Sequence, residues 1–424
     1  MKTKTIRAAL AAGLFGAISL FAVNTYAASS SDNSGPKVSK DVGAPLGEAQ
    51  KLMQAGDNQG ALAKIHEAQA VASRTPDDDY VINEFLANAA IGVKDYNTAA
   101  TAYEAMADSP VLSEDPNKAQ TLHNAIILAT NAKHYQKAIG YGTQLQALGP
   151  IDDKVSASLS EAYYYTNDFA HAQEMAQKSI DAAKAAGRAP DRGAMQIILN
   201  SQANQKNEAG AESTLEQLAL NYGDPQDWGQ MIDIAMGTKG LRDIDALYMN
   251  RLRFAAGANA KEDDYTLAAG IALQLYFPGE ARAILTEGMG KGIVKSSKAQ
   301  AMLAQARAKA GADEKSLPSQ EASADKQGGE YNAKLAEAEY GYGRYAQAEA
   351  AARRAIAKGG AKDPSEAQMV LGQALVGQGK YADAITAFAA VSGGPATAKA
   401  AHLWSDWAKY KSQSAAASAG GTTH

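Results

Sequence analysis

No cysteine occurs among the 424 residues, so neither disulfide stapling nor a thiolate nucleophile is open to this chain. The core must come from burial alone. The strict apolar and polar alternation of a half-buried strand appears nowhere, and beyond the N-terminus no uncharged run approaches the ~20 residues that span a bilayer. Basic surplus is absent too: the formal charge is -5, which lacks the positive footprint that nucleic-acid backbones require. Phenylalanine is scarce, at 7 against 19 tyrosines, and tyrosine suits walls that stay wet at one end. Catalytic constellations are missing as well. There is no Gly-x-Ser-x-Gly elbow, and none of the six histidines (His66, His123, His134, His171, His402, His424) has His-x-x-x-His spacing. The acid runs Asp77 to Asp79, Asp152-Asp153 and Asp263-Asp264 each fall where a helix should start, and there carboxylates cap backbone N–H groups. The glycine cluster at Gly288, Gly290 and Gly292 lacks phosphate-loop spacing and follows a helical pattern, so it reads as a turn.

What is present begins with an export pattern. Basic residues Lys2, Lys4 and Arg7 precede the uncharged run Ala8 to Val23, and Thr25-Tyr26-Ala27 supplies a small-x-small exit. This predicts a signal peptide over 1–27, cleavage after Ala27, and a periplasmic product with no membrane insertion. A Ser/Gly/Pro-rich leader follows over 28–44.

From Pro45 onward the text turns rich in Ala, Leu and Gln, punctuated by Gly and Pro. The clearest stretch, Ser365 to Val391, holds two helical patterns meeting at Gly379-Lys380-Tyr381. Leu371-Gly372 stands in the first, and Tyr381, Ala384 and Phe388 in the second. Aligning on the second-helix alanine gives Ala61, Ala99, Ala138, Ala172, Ala211, Ala246, Ala281, Ala348 and Ala384, spaced 34 to 39 residues apart except for one interval of 67. Positions not used for alignment agree with it. Three residues earlier stand Tyr96, Tyr135, Phe169, Tyr345 and Tyr381, and twelve earlier stand Ala49, Ala87, Ser160, Ala269, Ala336 and Gly372.

The pattern resembles the tetratricopeptide repeat (TPR), a 34-residue helix-turn-helix unit. The resemblance implies an all-α fold, an α-solenoid of about ten TPR-like helix-turn-helix repeats with a C-terminal capping helix. Stacked units share one core, so the last needs a polar cover. The expected segments are a solenoid over 45–312, a loop or degenerate repeat over 313–330 that breaks the array, a C-terminal pair over 331–394, a capping helix over 395–412 and a disordered tail over 413–424. In the cap, Leu403, Trp404, Trp407 and Ala408 share one face, with Lys399, Asp406, Lys409 and Lys411 around the other. Units around Ala211, Ala246 and Ala281 depart from the pattern: Leu199 and Ile234 replace small residues, and Pro278 replaces the aromatic.

In the resembling family the first helices line a concave groove that binds extended peptides. Carried over by register, that side holds Val81, Glu84 and Asn88, then His123 and Asn131, then Glu161, Tyr164 and Tyr165, then Gln196, Asn200 and Asn204. The expected partner site is Asn88, Asn131, Tyr164, Tyr165, Asn200 and Asn204, because amides both donate and accept while tyrosines give flat area at low entropic cost. The implied role is a non-catalytic scaffold or adaptor for protein or peptide partners in envelope assembly or export, with no cofactor, metal or nucleic acid. Two other readings stay open: a glycan or small-ligand binder stacking sugars on Tyr164, Tyr165, Tyr340 and Tyr342, or an enzyme built on the solenoid.

Overall fold

Helix boundaries follow the turn chemistry. In the computed structural model, which describes residues 36–420, every regular element is a helix and no strand occurs among the described residues. The signal peptide expected over 1–27 and the leader up to residue 35 lie outside the described residues, as do 421–424. Helix begins inside the expected leader, at Lys40, and runs through Pro45.

The chain forms two compact units that divide between Thr214 and Leu215. The first holds α1 (Lys40–Gln54), α2 (Asn58–Gln69), α3 (Pro76–Gly92), α4 (Tyr96–Ala107), the short 3-10 helix η1 (Pro110–Glu114), α5 (Lys118–Asn131), α6 (Tyr135–Leu148), α7 (Asp153–Tyr165), α8 (Phe169–Ala185), α9 (Arg192–Asn204) and the start of α10 (Glu208–Tyr222). Each helix from α1 to α9 packs on the next, and first helices also touch in the pairs α1 with α3, α5 with α7 and α7 with α9. Such sequential packing is consistent with a solenoid. Aspartates begin many helices as expected: Asp152 accepts from Val155 N–H at 2.8 Å, and Asp78 closes a capping box with Thr75.

One turn recurs within the helix pairs. Gly56, Lys94, Lys133, Asn167, Lys206, Tyr276, Gly343 and Gly379 are left-handed, with φ between 60° and 82°, each five residues before an aligned alanine. The next N–H closes back on a carbonyl five residues earlier, as Asp95 does on Ala90 at 2.8 Å and Phe277 on Ala272 at 2.7 Å. That is the Schellman ending, which stops the first helix and aims the second back along it. Lys206 and Tyr276 therefore place the Ala211 and Ala281 units in the same register despite their unusual packing residues. The Ala246 unit alone differs, turning instead at Gly240. Of the aligned alanines all are buried except Ala211, which is half-buried. At the small position of the clearest stretch, a Cβ on Gly372 would run into the ring of Phe388.

Tyr276 is 85% exposed, so its left-handed backbone is not offset by packing. Relieving a conformation that costs an L-residue about 1–2 kcal/mol, Tyr276→Gly should raise stability by roughly 0.5–1 kcal/mol after the entropy lost by glycine. A urea midpoint that stays put or falls would count against this account of the turn.

The second unit takes the rest of α10, then α11 (Pro225–Met236), α12 (Asp243–Ala255), α13 (Glu262–Gln274), α14 (Pro278–Gly290), α15 (Ser297–Ser323), the 3-10 turn η2 (Ala324–Lys326), α16 (Gly329–Gly341), α17 (Tyr345–Lys358), α18 (Pro364–Gly377), α19 (Tyr381–Ala389) and α20 (Pro395–Gly420). Residues 313–330 are no open loop. Helix α15 continues through Pro318 because Ala299, Leu303, Ala306, Ala310 and Leu317 form a buried stripe made mostly of alanine. The division of the chain falls in α10, not at 313–330, and α15 packs on α13, α14 and α16.

Helix α20 also departs from expectation. It packs most extensively on α19, and also on α18, α12 and α11, so it joins both ends of unit 2 and does more than cover the last pair. The Trp404 ring stacks 6.0 Å from Phe388 while its Nε1 donates to Tyr248 O at 2.8 Å, and Trp407 meets Trp228 edge-on at 5.2 Å. Alanines conceal the width of its apolar arc: Ala396, Ala400 and Ala401 are buried as well. Asp406, expected on the polar side, is 0% exposed. The expected disordered tail is helical as far as Gly420.

Trp404→Ala should cost about 3–5 kcal/mol, the usual range for emptying a buried tryptophan site. Because the ring touches both partners, hydrogen exchange should accelerate in α12 as well as α19. Acceleration confined to α19 would restore the simple cap.

Candidate functional site

The first helices of unit 1 carry the expected partner residues, and their packing decides what each offers. Asn88 on α3 is only 3% exposed; its Nδ2 donates to Glu84 O on the same helix at 2.9 Å, and its Oδ1 is buried without a hydrogen-bond partner. Asn131, the last residue of α5, is exposed. On α9, half-buried Asn200 accepts from Gln196 at 3.2 Å and exposed Asn204 donates to Asn200 O at 2.8 Å. Of the four asparagines, only Asn200 and Asn204 are in contact, so no continuous row of free amides is assembled.

The tyrosines do come together. Tyr164 and Tyr165 meet edge to face at 5.3 Å, and one face of Tyr165 is stacked on Tyr135 at 4.9 Å. Tyr340 and Tyr342 belong elsewhere: the Arg251 guanidinium lies 4.3 Å over the Tyr340 ring, and the Tyr342 hydroxyl donates to Asp313 at 2.7 Å within unit 2. They are not open platforms.

Two acids on the same first-helix side, Glu84 and Glu161, gain importance from the structure. Both are half-buried, and neither side chain makes a hydrogen bond or ion pair among the described residues. Burial, with the charge of Asp115 nearby, pushes the Glu84 carboxyl up to about 7, and burial likewise raises Glu161. Around Glu84 runs a satisfied network. Tyr80 donates to Asp115, Asn124 donates to Tyr103 Oη at 3.0 Å, and Gln120 donates to Asn124 Oδ1 at 3.0 Å. His123 approaches the same Asn124 oxygen and pairs with Asp152 at 3.0 Å, which lifts its imidazole above the usual range. Register alone placed Glu84 on this side; its missing partner is a tertiary fact that no motif encodes.

On the helix that carries Glu84, α1 and α3 form an open cleft of about 620 Å³, lined by Val38, Leu46, Val81 and Phe85 together with Gly43, Gly47, Lys40 and Gln50. A volume of that size lies within the usual range for ligand sites. Nothing stands within 4 Å of where a Gly47 Cβ would be, so another backbone has room to approach. Val81, Glu84 and Asn88 follow at helical spacing on α3, which joins the cleft to the unpaired acceptors.

Unit 2 holds the other buried polar cluster. Arg251 on α12 donates to both Glu280 oxygens at 2.7 Å and to Gln373 at 2.8 Å, and its Nη1 lies 2.8 Å from Glu337 Oε2. Tyr248 donates to the other Glu337 oxygen at 2.9 Å, and burial raises that carboxyl above the ordinary range. Every charge there has a counterpart, as in a structural tie between α12, α14, α16 and α18. A scan against protein-family models finds no match for the chain, and a search of curated proteins finds none.

The raised groups fix a direction for stability against pH. Glu84 keeps its proton to about 7 when folded but has an ordinary value of 4.5, so its contribution is complete below 4.5 and is lost as pH rises to 7. His123, raised by Asp152, adds a loss in the same direction above its ordinary 6.5. Melting temperature should therefore fall between pH 5 and 8, and Glu84→Gln should flatten the lower part of that fall. Equal slopes in the two proteins would remove Glu84 from the account.

Proposed function

We propose that this is an exported, non-catalytic binding protein, a periplasmic scaffold or adaptor that receives an extended peptide segment on the first-helix side of unit 1. The observation that carries the reading is the pair of unpaired acids there, the half-buried Glu84 and Glu161 side chains. Half-buried acceptors without a partner cost stability, and a peptide that brings donors recovers it. The Glu161 side chain beside Tyr165 favours Arg or Lys, since a guanidinium serves both an acidic group and a ring. The apolar cleft between α1 and α3 adds a place for a large aliphatic or aromatic side chain. Export rests on the pattern over 1–27, and a role in envelope assembly or secretion rests on the TPR resemblance. Sugar stacking is less well supported, because Tyr165 is already covered on one face by Tyr135 and Tyr340 lies beneath Arg251.

Panning a displayed random-peptide library on residues 28–424 should enrich segments that carry Arg or Lys next to an apolar residue. The enriched peptide should bind Glu84→Gln/Glu161→Gln at least tenfold more weakly. Glu174→Gln, which alters an exposed α8 pair with Lys178, should bind it unchanged. Enrichment of acidic sequences, or equal affinity for the double variant, would overturn the reading.

A further inference from the structure

Helix α20 sets His402 and Asp406 one turn apart on the same stripe, and the second half of α10 brings Glu216 to them. His402 Nε2 lies 3.3 Å from Glu216 Oε2 and 3.3 Å from Asp406 Oδ2, and all three donor atoms fall within 4.8 Å of one another. In a tetrahedral zinc site with bonds of about 2.0–2.1 Å the ligand-to-ligand edge is about 1.6 bond lengths, or roughly 3.3 Å. The two histidine-to-carboxylate edges match that figure. The second observation is the state of Asp406: the residue is fully buried and its Oδ2 has no hydrogen-bond partner, whereas Oδ1 accepts from Lys409 Nζ at 2.8 Å. One oxygen is thus anchored, and the other is free of hydrogen bonds at the point where His402 and Glu216 converge.

We infer that Glu216, His402 and Asp406 form a site for a divalent transition metal of the zinc class, with water completing the shell. One imidazole and two carboxylates suit zinc or cobalt, and the imidazole disfavours magnesium and calcium, which prefer oxygen alone. The Lys409 ammonium on Oδ1 fixes the carboxylate from behind, as outer partners of metal ligands do. Bound metal would tie α10 to α20, the first and last helices of unit 2, and its binding energy would appear as stability of that unit. The site shares no residue with the peptide-binding side of unit 1.

The test uses tag-free protein, residues 28–424, stripped with a chelator and titrated with zinc chloride or cobalt chloride. One equivalent should bind, cobalt should give the visible absorption of a tetrahedral centre, and zinc but not magnesium should raise the melting temperature. The His402 side chain is 47% exposed, so His402→Gln should fold normally. It and Glu216→Gln should each bind at least tenfold more weakly, while His123→Gln should bind unchanged. Absence of one-to-one binding, or wild-type affinity in His402→Gln, would overturn the assignment.

Discussion

Two antiparallel helices approach closely only where one presents no bulk, and alanine meets that condition in pair after pair of this chain. Ala61, Ala99, Ala138, Ala172, Ala281, Ala348 and Ala384 are all fully buried. Close approach leaves room for a short connection, so the first helix ends on a single left-handed residue and its Schellman bond. The second helix then starts on an aromatic at Tyr96, Tyr135, Phe169, Tyr345 and Tyr381. Neighbouring first helices pack against one another, and what they carry away from the core is the face where Glu84, Glu161 and the tyrosine cluster are found.

In unit 2 a charge cluster is added to this small-residue packing. Burying an ion costs several kcal/mol, which is offset only where geometry and hydrogen bonds are good. Arg251 meets Glu280 through two bonds, Gln373 through a third, and the Tyr340 ring through its face. Cores of alanine and leucine tolerate shifts of one turn at small cost, whereas a planar guanidinium with four fixed partners does not. The cluster thus favours one arrangement of α12, α14, α16 and α18 more than it adds net stability.

The helical class and the alanine register were legible because they repeat, and repetition reinforces each weak local signal. The corner between paired helices was legible at Gly379, where glycine marks it; Lys94, Lys133 and Tyr276 adopt the same left-handed backbone without the composition that advertises it. Helices α15 and α20 were misjudged for a common reason. Their buried stripes are largely alanine, which a search for large apolar residues passes over, so the second part of α15 read as a loop or degenerate repeat and α20 as a one-sided cap. Of the candidate site, register supplied the helix face but not the state of each side chain. Asn88 and Asn204 donate to their own helices, and the unpaired state of Glu84 and Glu161 depends on what the neighbouring helices fail to supply.

Several buried acids are answered within the chain: Asp78 by the N–H groups of Thr75 and Ser39, Asp245 by Arg242 and Thr397, Glu280 by Arg251. In unit 2 the buried atoms without a hydrogen bond include donors, Trp228 Nε1 and Gln373 Nε2, and carboxylate oxygens, Glu321 Oε2, Glu339 Oε2 and Asp406 Oδ2. On the first helices of unit 1, Glu84 lies on the helix that lines the cleft and Glu161 one turn before the tyrosine pair, and neither side chain has a partner. Two acidic side chains without partners are complemented by donors, and the donor that also tolerates aromatic and apolar neighbours is the cationic side chain of a peptide.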